Sequence, residues 1–315
     1  MTEEAGSLWI TGFWRRVGAF FIDLVFLGLI GIGLGLFLKE QFVQLGGWGR
    51  LVGFIIALIY FGFLNSRLFG GQTIGKKLLN IRVVASDNQP IGLLRSFGRF
   101  SVLGVPYFLN DAQLTDEALT SFWMYLVSLI VFGGLLSIVY LYVFNRITRQ
   151  SLHDLVFGTY VVNASAEKTE IGTLWRPHLI VVAVILVASA LVPPFASKLS
   201  QTAPFKDLWA AQTALAEHPA TSYVGVSSGT NTKISTGAGR RTTTYLSAQV
   251  VLKKNSVADA ELAKQLATIL ANAYPNSGQK DVVQVELSYG YDIGIASSWS
   301  SHTYAYRPAD LVGED

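Results

Sequence analysis

The chain predicts an α-helical transmembrane bundle of about five spans, followed by a small soluble α+β domain with an antiparallel sheet. Three observations carry this expectation. First, 51% of the 315 residues are hydrophobic and only 14% charged, with a mean hydropathy of +0.41, where a soluble domain carries about 25% charged residues. Second, long apolar runs alternate with basic loops up to about Ala196. Third, from Leu199 onward the composition turns to Ser, Thr, Ala and Gly with ordinary charge. Composition also excludes several chemistries. A scattered net charge of +3 does not suit nucleic acid, and with no cysteine there are no disulfides, thiolate metal sites or cysteine nucleophiles. The four histidines (His153, His178, His218, His302) show no metal-ligand spacing. No nucleophile–base set stands out, so neither catalysis, a cofactor nor a metal is expected.

The first span covers about residues 13–38. The residues before it are acidic and lack a basic n-region, and the run is too long and lacks a small-residue cleavage site, so it reads as an uncleaved helix rather than a signal peptide. It carries Arg16 and Asp23, and a carboxylate inside hydrocarbon is costly unless it is paired, protonated or facing water. Seven residues separate the two. At ~100° per residue they share a helix face, roughly 10 Å apart along the axis. Gly28, Gly31, Gly33 and Gly35 suit close helix packing in lipid. The second span covers about 51–68. The run Gly70-Gly-Gln-Thr-Ile-Gly-Lys-Lys after it resembles a phosphate loop only superficially, because Lys77 stands where Ser or Thr must hold magnesium. A glycine turn with lysines at the headgroups explains it better.

Loop charge sets the remaining spans. Arg67, Lys76, Lys77, Arg82, Arg95 and Arg99 mark one cytoplasmic loop, and Arg146, Arg149, Lys168 and Arg176 a second. Between them, residues 111–120 have three acids and no base. Two cytoplasmic loops need an even number of crossings between them, so 97–113 and 121–144 are taken as the third and fourth spans. A linker and fifth span follow within 166–198, the helix at about 178–197. The N-terminus is then inside and residues 199–315 outside. In that last part, 207–218 and 257–274 have helical spacing, the second with Ser256 as N-cap. Residues 222–226, 242–253, 282–287, 289–296 and 301–306 read as strands, and 227–241 as a loop. Tyr289, Tyr291, Trp299, Tyr304 and Tyr306 suit either a contact surface for an extracytoplasmic protein or the core of the sheet.

Four motifs occur in order: Arg16-Val-Gly-Ala-Phe-Phe-Ile-Asp23, Gly71-Gln-Thr-Ile-Gly-Lys-Lys-Leu-Leu-Asn-Ile-Arg-Val-Val, Ile91-Gly-Leu-Leu-Arg-Ser-Phe-Gly-Arg99, and Ser151-Leu-His-Asp154-Leu-Val-Phe-Gly-Thr-Tyr-Val-Val. Over about residues 10–163 the set resembles the RDD family of bacterial membrane proteins, named for one arginine and two aspartates. By motif position the resemblance assigns Arg16, Asp23 and Asp154 to that triad. His153, Lys76 and Arg99 stand beside it in the same motifs as supporting residues. Arg15 is an adjacent alternative, but Arg16 alone fits the seven-residue step. The implied unit is an RDD-like transmembrane domain over residues 1–165, in the bacterial inner membrane. For function the resemblance implies transport of unidentified ligands, with sodium/proton exchange linked to some members. Asp23 would alternate between proton and cation, with Arg16 and Asp154 as its partners. So few helices make a thin wall for a pore, which implies a homo-oligomer in the bilayer. Equally open is a scaffold, sensor or assembly factor in which the triad is an ion-pair lock and the outer domain binds a protein or envelope component. Asp154 in particular also reads as an ordinary helix cap.

Overall fold

The computed structural model describes residues 9–110, 122–170, 172–235 and 239–311. These fall into two compact units. The first holds the described residues up to Leu38, Gly47–Pro194 and Asp292–Ser297; the second holds Lys39–Gly46, Phe195–Tyr291 and the described residues from Ser298 on.

Helix α1 (Phe13–Leu45) is interrupted at Leu38, whose backbone is not helical and where the first unit gives way to the second, and α2 (Gly49–Leu64), back in the first unit, follows after a single 3-10 turn. The chain reverses between them. The rings of Phe20 and Phe61 stack with centroids 6.0 Å apart, and Leu27, Ala57 and Phe61 share one buried cluster with Phe100 and Phe108. Then come α3 (Ile74–Leu78), β1 (Ile81–Ala85) and α4 (Leu93–Leu109). Helix α5 (Phe122–Phe144) winds as a π-helix over Leu129–Gly134. After it come α6 (Leu152–Phe157), β2 (Thr159–Asn163) and α7 (Pro177–Ala190). The two strands pair antiparallel, Val83 opposite Val161. The chain start joins this ribbon: Ile10 bridges Val162, Thr11 donates its N–H to the Val161 carbonyl at 3.0 Å, and the fully buried Trp9 packs on Val84 and Val162.

The expected count of about five spans is corrected here. Among the described residues, three helical stretches are long and apolar enough to cross a membrane: Phe13–Leu64, Phe122–Phe144 and Pro177–Ser200. The expected spans 13–38 and 51–68 are two arms of one 52-residue helical stretch. The expected span 97–113 is not among the three. Helix α4 spends its first turns on Arg95 and Arg99, both hydrogen-bonded to protein, and what remains is shorter than the ~17 residues a crossing needs. The acidic run 111–120, which suggested that span by parity, lies outside the described residues. The glycine expectation also changes. Gly31 does not face another helix: a Cβ there would meet Ala296 at 2.7 Å, because residues 292–297 lie against α1 and α2 within this unit, where the Tyr107 hydroxyl donates to the Gly294 carbonyl at 3.1 Å.

In the second unit, helix α8 (Val192–Ser200), only part of which belongs here, leads to α9 (Phe205–Ala216). A four-stranded sheet follows in the order β3 (Thr221–Ser235), β4 (Gly239–Leu252), β5 (Val282–Asp292), β6 (Ser297–Tyr306). The expected antiparallel sheet is corrected to a mixed one. β3 and β4 pair antiparallel, Val226 opposite Ala248, but β4 and β5 are parallel, Val250 opposite Leu287. The crossover between them is α10 (Ala260–Ala273), capped by Asp259, whose side chain accepts from Leu262 N–H, rather than by Ser256. Of residues 227–241, read as a loop, 227–235 instead lengthen β3 and 239–241 begin β4. Alternate residues Leu246, Ala248, Val250 and Leu252 bury one face of β4 against Leu266 and Leu270 of α10. Tyr289 and Tyr291 are interior residues of this unit, Tyr289 donating to Glu40 at 2.5 Å and Tyr291 lying 5.2 Å from the ring of Phe42. Trp299 stays exposed.

Candidate functional site: a buried arginine–carboxylate network beside an apolar cavity

Asp154 sits in the first turn of α6, fully buried. The Ser151 backbone N–H donates to its Oδ2 at 3.4 Å, so it does act as a cap, but stronger donors surround it. Arg16 Nη2 reaches Oδ2 at 2.8 Å, Arg99 reaches Oδ1 through Nη2 at 2.7 Å and Nε at 3.0 Å, and the Thr159 hydroxyl donates to Oδ1 at 2.9 Å. Burial alone raises this carboxyl's pKa, yet Arg99 and Arg16 together overcome it and hold Asp154 well below the ordinary carboxylate range. Arg16 is held on its other side by the Arg149 carbonyl and lies over the Tyr142 ring, 4.9 Å from its centroid. The neighbouring Arg15 is engaged elsewhere, with Asn163 and the Leu79 carbonyl.

Asp23 occupies a different cage. It is also fully buried, and accepts from the Thr73 hydroxyl at 2.6 Å, the Tyr60 hydroxyl at 2.7 Å and the Gly75 backbone N–H at 2.8 Å. The turn after α2 therefore does more than leave the membrane: it folds back onto α1. Gly75 is required by close approach, since a Cβ there would collide with the Ala19 carbonyl. The structure thus gathers Arg16, Arg99 and Asp154 into one network, with His153 Nε2 at 3.5 Å from Asp154, and gives Asp23 neutral donors of its own. Tyr60, Thr73, Gly75 and Thr159 were not anticipated from the sequence.

Arg16, Arg99 and His153 of this network also line a cavity of about 370 Å³, within the usual range for ligand sites of ~300–1,000 Å³. Its walls are mainly apolar, among them Phe20, Phe61, Phe100 and Leu103, and its polar lining comes from Arg16, Arg99, Lys76, His153 and Asn65. Half-buried Lys76 has as its nearest polar contact the Thr73 hydroxyl at 3.4 Å. Burial pushes its ammonium down to about 8, with Asp23 opposing and Arg99 and Arg16 adding to the shift. Burial likewise pushes His153 down to about 3, so the ring is neutral at pH 7. His153 Nδ1 and Asn65 Oδ1 are both buried without a hydrogen-bond partner among the described residues. A second cleft shares Phe13, Arg16, Tyr142 and Val143 with this cavity and adds Arg146 and Arg149. The larger groove on the second unit, about 460 Å³, holds Arg241 as its one charged lining residue, so the concentrated chemistry is in the first unit. Among the described residues no group of three or more His, Asp or Glu is placed to hold a metal.

The apolar helices and the buried network define a multi-span membrane protein. Residues 10–158 match the model of the RDD family, and residues 159–315 lie outside the match. Over 161 residues the chain is 26% identical to the protein YckC of Bacillus subtilis strain 168, described as uncharacterized, a similarity covering 51% of this chain and 89% of YckC. No solved structure matches the chain.

Proposed function

We propose that this protein binds a small ligand inside its membrane-embedded unit and carries it across the inner membrane, with the cavity beside the triad as the binding site. The observation that carries this reading is the pair of buried, unpartnered polar atoms, His153 Nδ1 and Asn65 Oδ1, on two residues that line a mainly apolar cavity. Leaving a buried polar atom unsatisfied costs about 1–3 kcal/mol, a cost that a bound ligand removes. In this reading Arg16, Arg99 and Asp154 form the rigid floor of the site, and Asp23 ties α1 to the turn at Thr73–Gly75. A metal cation at Asp23 is less well supported, because Gly75 N–H, Thr73 and Tyr60 all point donors at that carboxylate and a cation requires acceptors. The same full complement of donors supports a second reading, the non-transporting scaffold with the triad as a lock. The clustering of Arg15, Lys76, Lys77, Arg95, Arg146 and Arg149 around the network supports a cytoplasmic placement of that end, with residues 199–315 extracytoplasmic.

Native mass spectrometry of the purified full chain tests the binding reading. The wild type should retain a non-protein adduct of defined mass, and Leu103→Trp, which fills the cavity, should lose it. An adduct-free wild type whose thermal stability rises on filling the cavity would favour the scaffold.

A further inference from the structure

We infer that the cavity takes an anionic amphiphile: one apolar chain among Phe20, Phe61, Phe100 and Leu103, and a phosphate-monoester head at Lys76, His153 and Asn65. The inference rests on the binding reading above and adds the chemical class of the ligand. Its first support is charge. Arg16, Arg99 and Lys76 are three cations facing two carboxylates, Asp23 and Asp154, while His153 is neutral. The two arginines are bonded to Asp154, whereas among the described residues no carboxylate lies within ion-pair distance of Lys76. One positive charge is therefore left over at the cavity wall, in surroundings that disfavour it. An anion there restores the balance.

The second support is hydrogen-bond polarity. Lys76 only donates, Asn65 Oδ1 only accepts, and the neutral His153 ring offers Nδ1 as a donor or an acceptor according to tautomer. A head group satisfying all three must carry negative oxygen and an O–H together. A singly protonated phosphate monoester does; a sulfonate or a quaternary ammonium does not. The third support is shape and approach. The rest of the lining is aromatic and aliphatic, which suits a hydrocarbon chain, and the adjoining cleft with Arg146 and Arg149 presents further positive charge to an arriving anion. The same head chemistry occurs on a free single-chain phosphate and on a phosphatidic acid of the bilayer.

The test uses the full chain in phosphatidylcholine nanodiscs, titrated calorimetrically with decyl phosphate, decanol, decyltrimethylammonium and inorganic phosphate, and in a parallel arm with phosphatidic acid built into the disc. Decyl phosphate should bind saturably and the other three soluble probes at least about tenfold more weakly, the loss expected when a charge-assisted hydrogen bond is missing. Competition from disc phosphatidic acid identifies the bilayer as the source; its absence identifies the free amphiphile. Lys76→Met should weaken decyl phosphate by a similar factor and leave decanol unchanged, and Lys76→Arg should restore it. If Lys76→Met fails to fold, Asn65→Asp, which turns an acceptor into a like charge, must weaken decyl phosphate instead. Equal binding of decanol or decyltrimethylammonium overturns the anionic class while leaving the cavity reading intact. If no probe binds and Leu103→Trp changes nothing, both fail.

Discussion

At the scale of single residues, the molecule uses its two buried aspartates differently. Asp154 is surrounded by full positive charges and Asp23 by neutral donors, so their substitutions should behave differently. Removing one partner of a buried ion pair costs about 3–5 kcal/mol because the other is left uncompensated. Asp154→Ala strands two guanidinium groups and should be the most damaging. Arg99→Ala, losing two bonds to Asp154, comes next, and Arg16→Ala, losing one, is mildest. The double variant Arg16→Ala with Asp154→Ala should be less destabilised than the sum of the singles, by about 0.5–3 kcal/mol; strict additivity in thermal unfolding in detergent would show that the contact carries no energy. His153 supplies a pH signature. In the folded protein it stays neutral down to about pH 3, whereas the unfolded chain takes up a proton near 6.5. The unfolded state thus binds more protons between those values, and stability falls as pH falls. From pH 7.5 to 5.5 the loss should be on the order of 1 kcal/mol, and His153→Gln should flatten the unfolding profile over that interval. Asp154 shifts in the same destabilising direction on acidification, but only near and below its ordinary value of 3.8.

At the scale of elements, the turn at Thr73–Gly75 determines how tightly α1 is held. Gly75→Ala forces a methyl against the Ala19 carbonyl and should cost about 1–3 kcal/mol, lowering membrane abundance. Thr73→Val removes one donor of Asp23 and should cost about as much as an unsatisfied buried acceptor, 1–3 kcal/mol, without disturbing Arg16. Equal damage to the Asp154 network from either change, read by hydrogen exchange at α6, would merge two cages that the geometry keeps apart. The sequence made some of these elements visible and hid others. The motif order brought Arg16, Arg99, His153 and Asp154 into consideration because charges in an apolar setting stand out. Tyr60 and Thr73 did not, because an aromatic residue on an apolar helix resembles any lipid-facing one, and their partner Asp23 is 37 and 50 residues away. The expected span at α4 fails because Arg99, which counts toward the loop charge in the sequence, is buried in the protein. The parallel pairing of β4 and β5 was legible in principle. A whole helix lies between Leu252 and Val282, and a connection that long is what a parallel neighbour requires. Leu246, Ala248, Val250 and Leu252 alternate along β4 and share its buried face, a period of two that survives any choice of partner strand.

At the scale of the whole molecule, the chain combines a stretch that matches the RDD family, residues 10–158, with a second unit built on a mixed four-stranded sheet and its helices. Its orientation is open to a clean measurement because the natural sequence has no cysteine. A single cysteine at Asp87 should react with a membrane-impermeant maleimide only after the cells are opened, and one at Lys264 should react in intact cells. The same labelling pattern at both positions would put the two on one side and overturn the proposed placement. The ribbon at the start of the chain closes this part of the fold on itself. Trp9, Ile10 and Thr11 are joined to Val161, Val162 and Asn163, so the start of the stretch matched by the family lies beside the residues just past its end. Closing a loop of that length costs only a few kcal/mol of chain entropy, growing slowly with length, and this cost is met inside the domain itself. Whatever sequence continues from Asn163 starts from a closed ring rather than a loose end. Residues 292–297 nevertheless return to pack against α1 and α2 of that ring, so any exchanged continuation must refill their place.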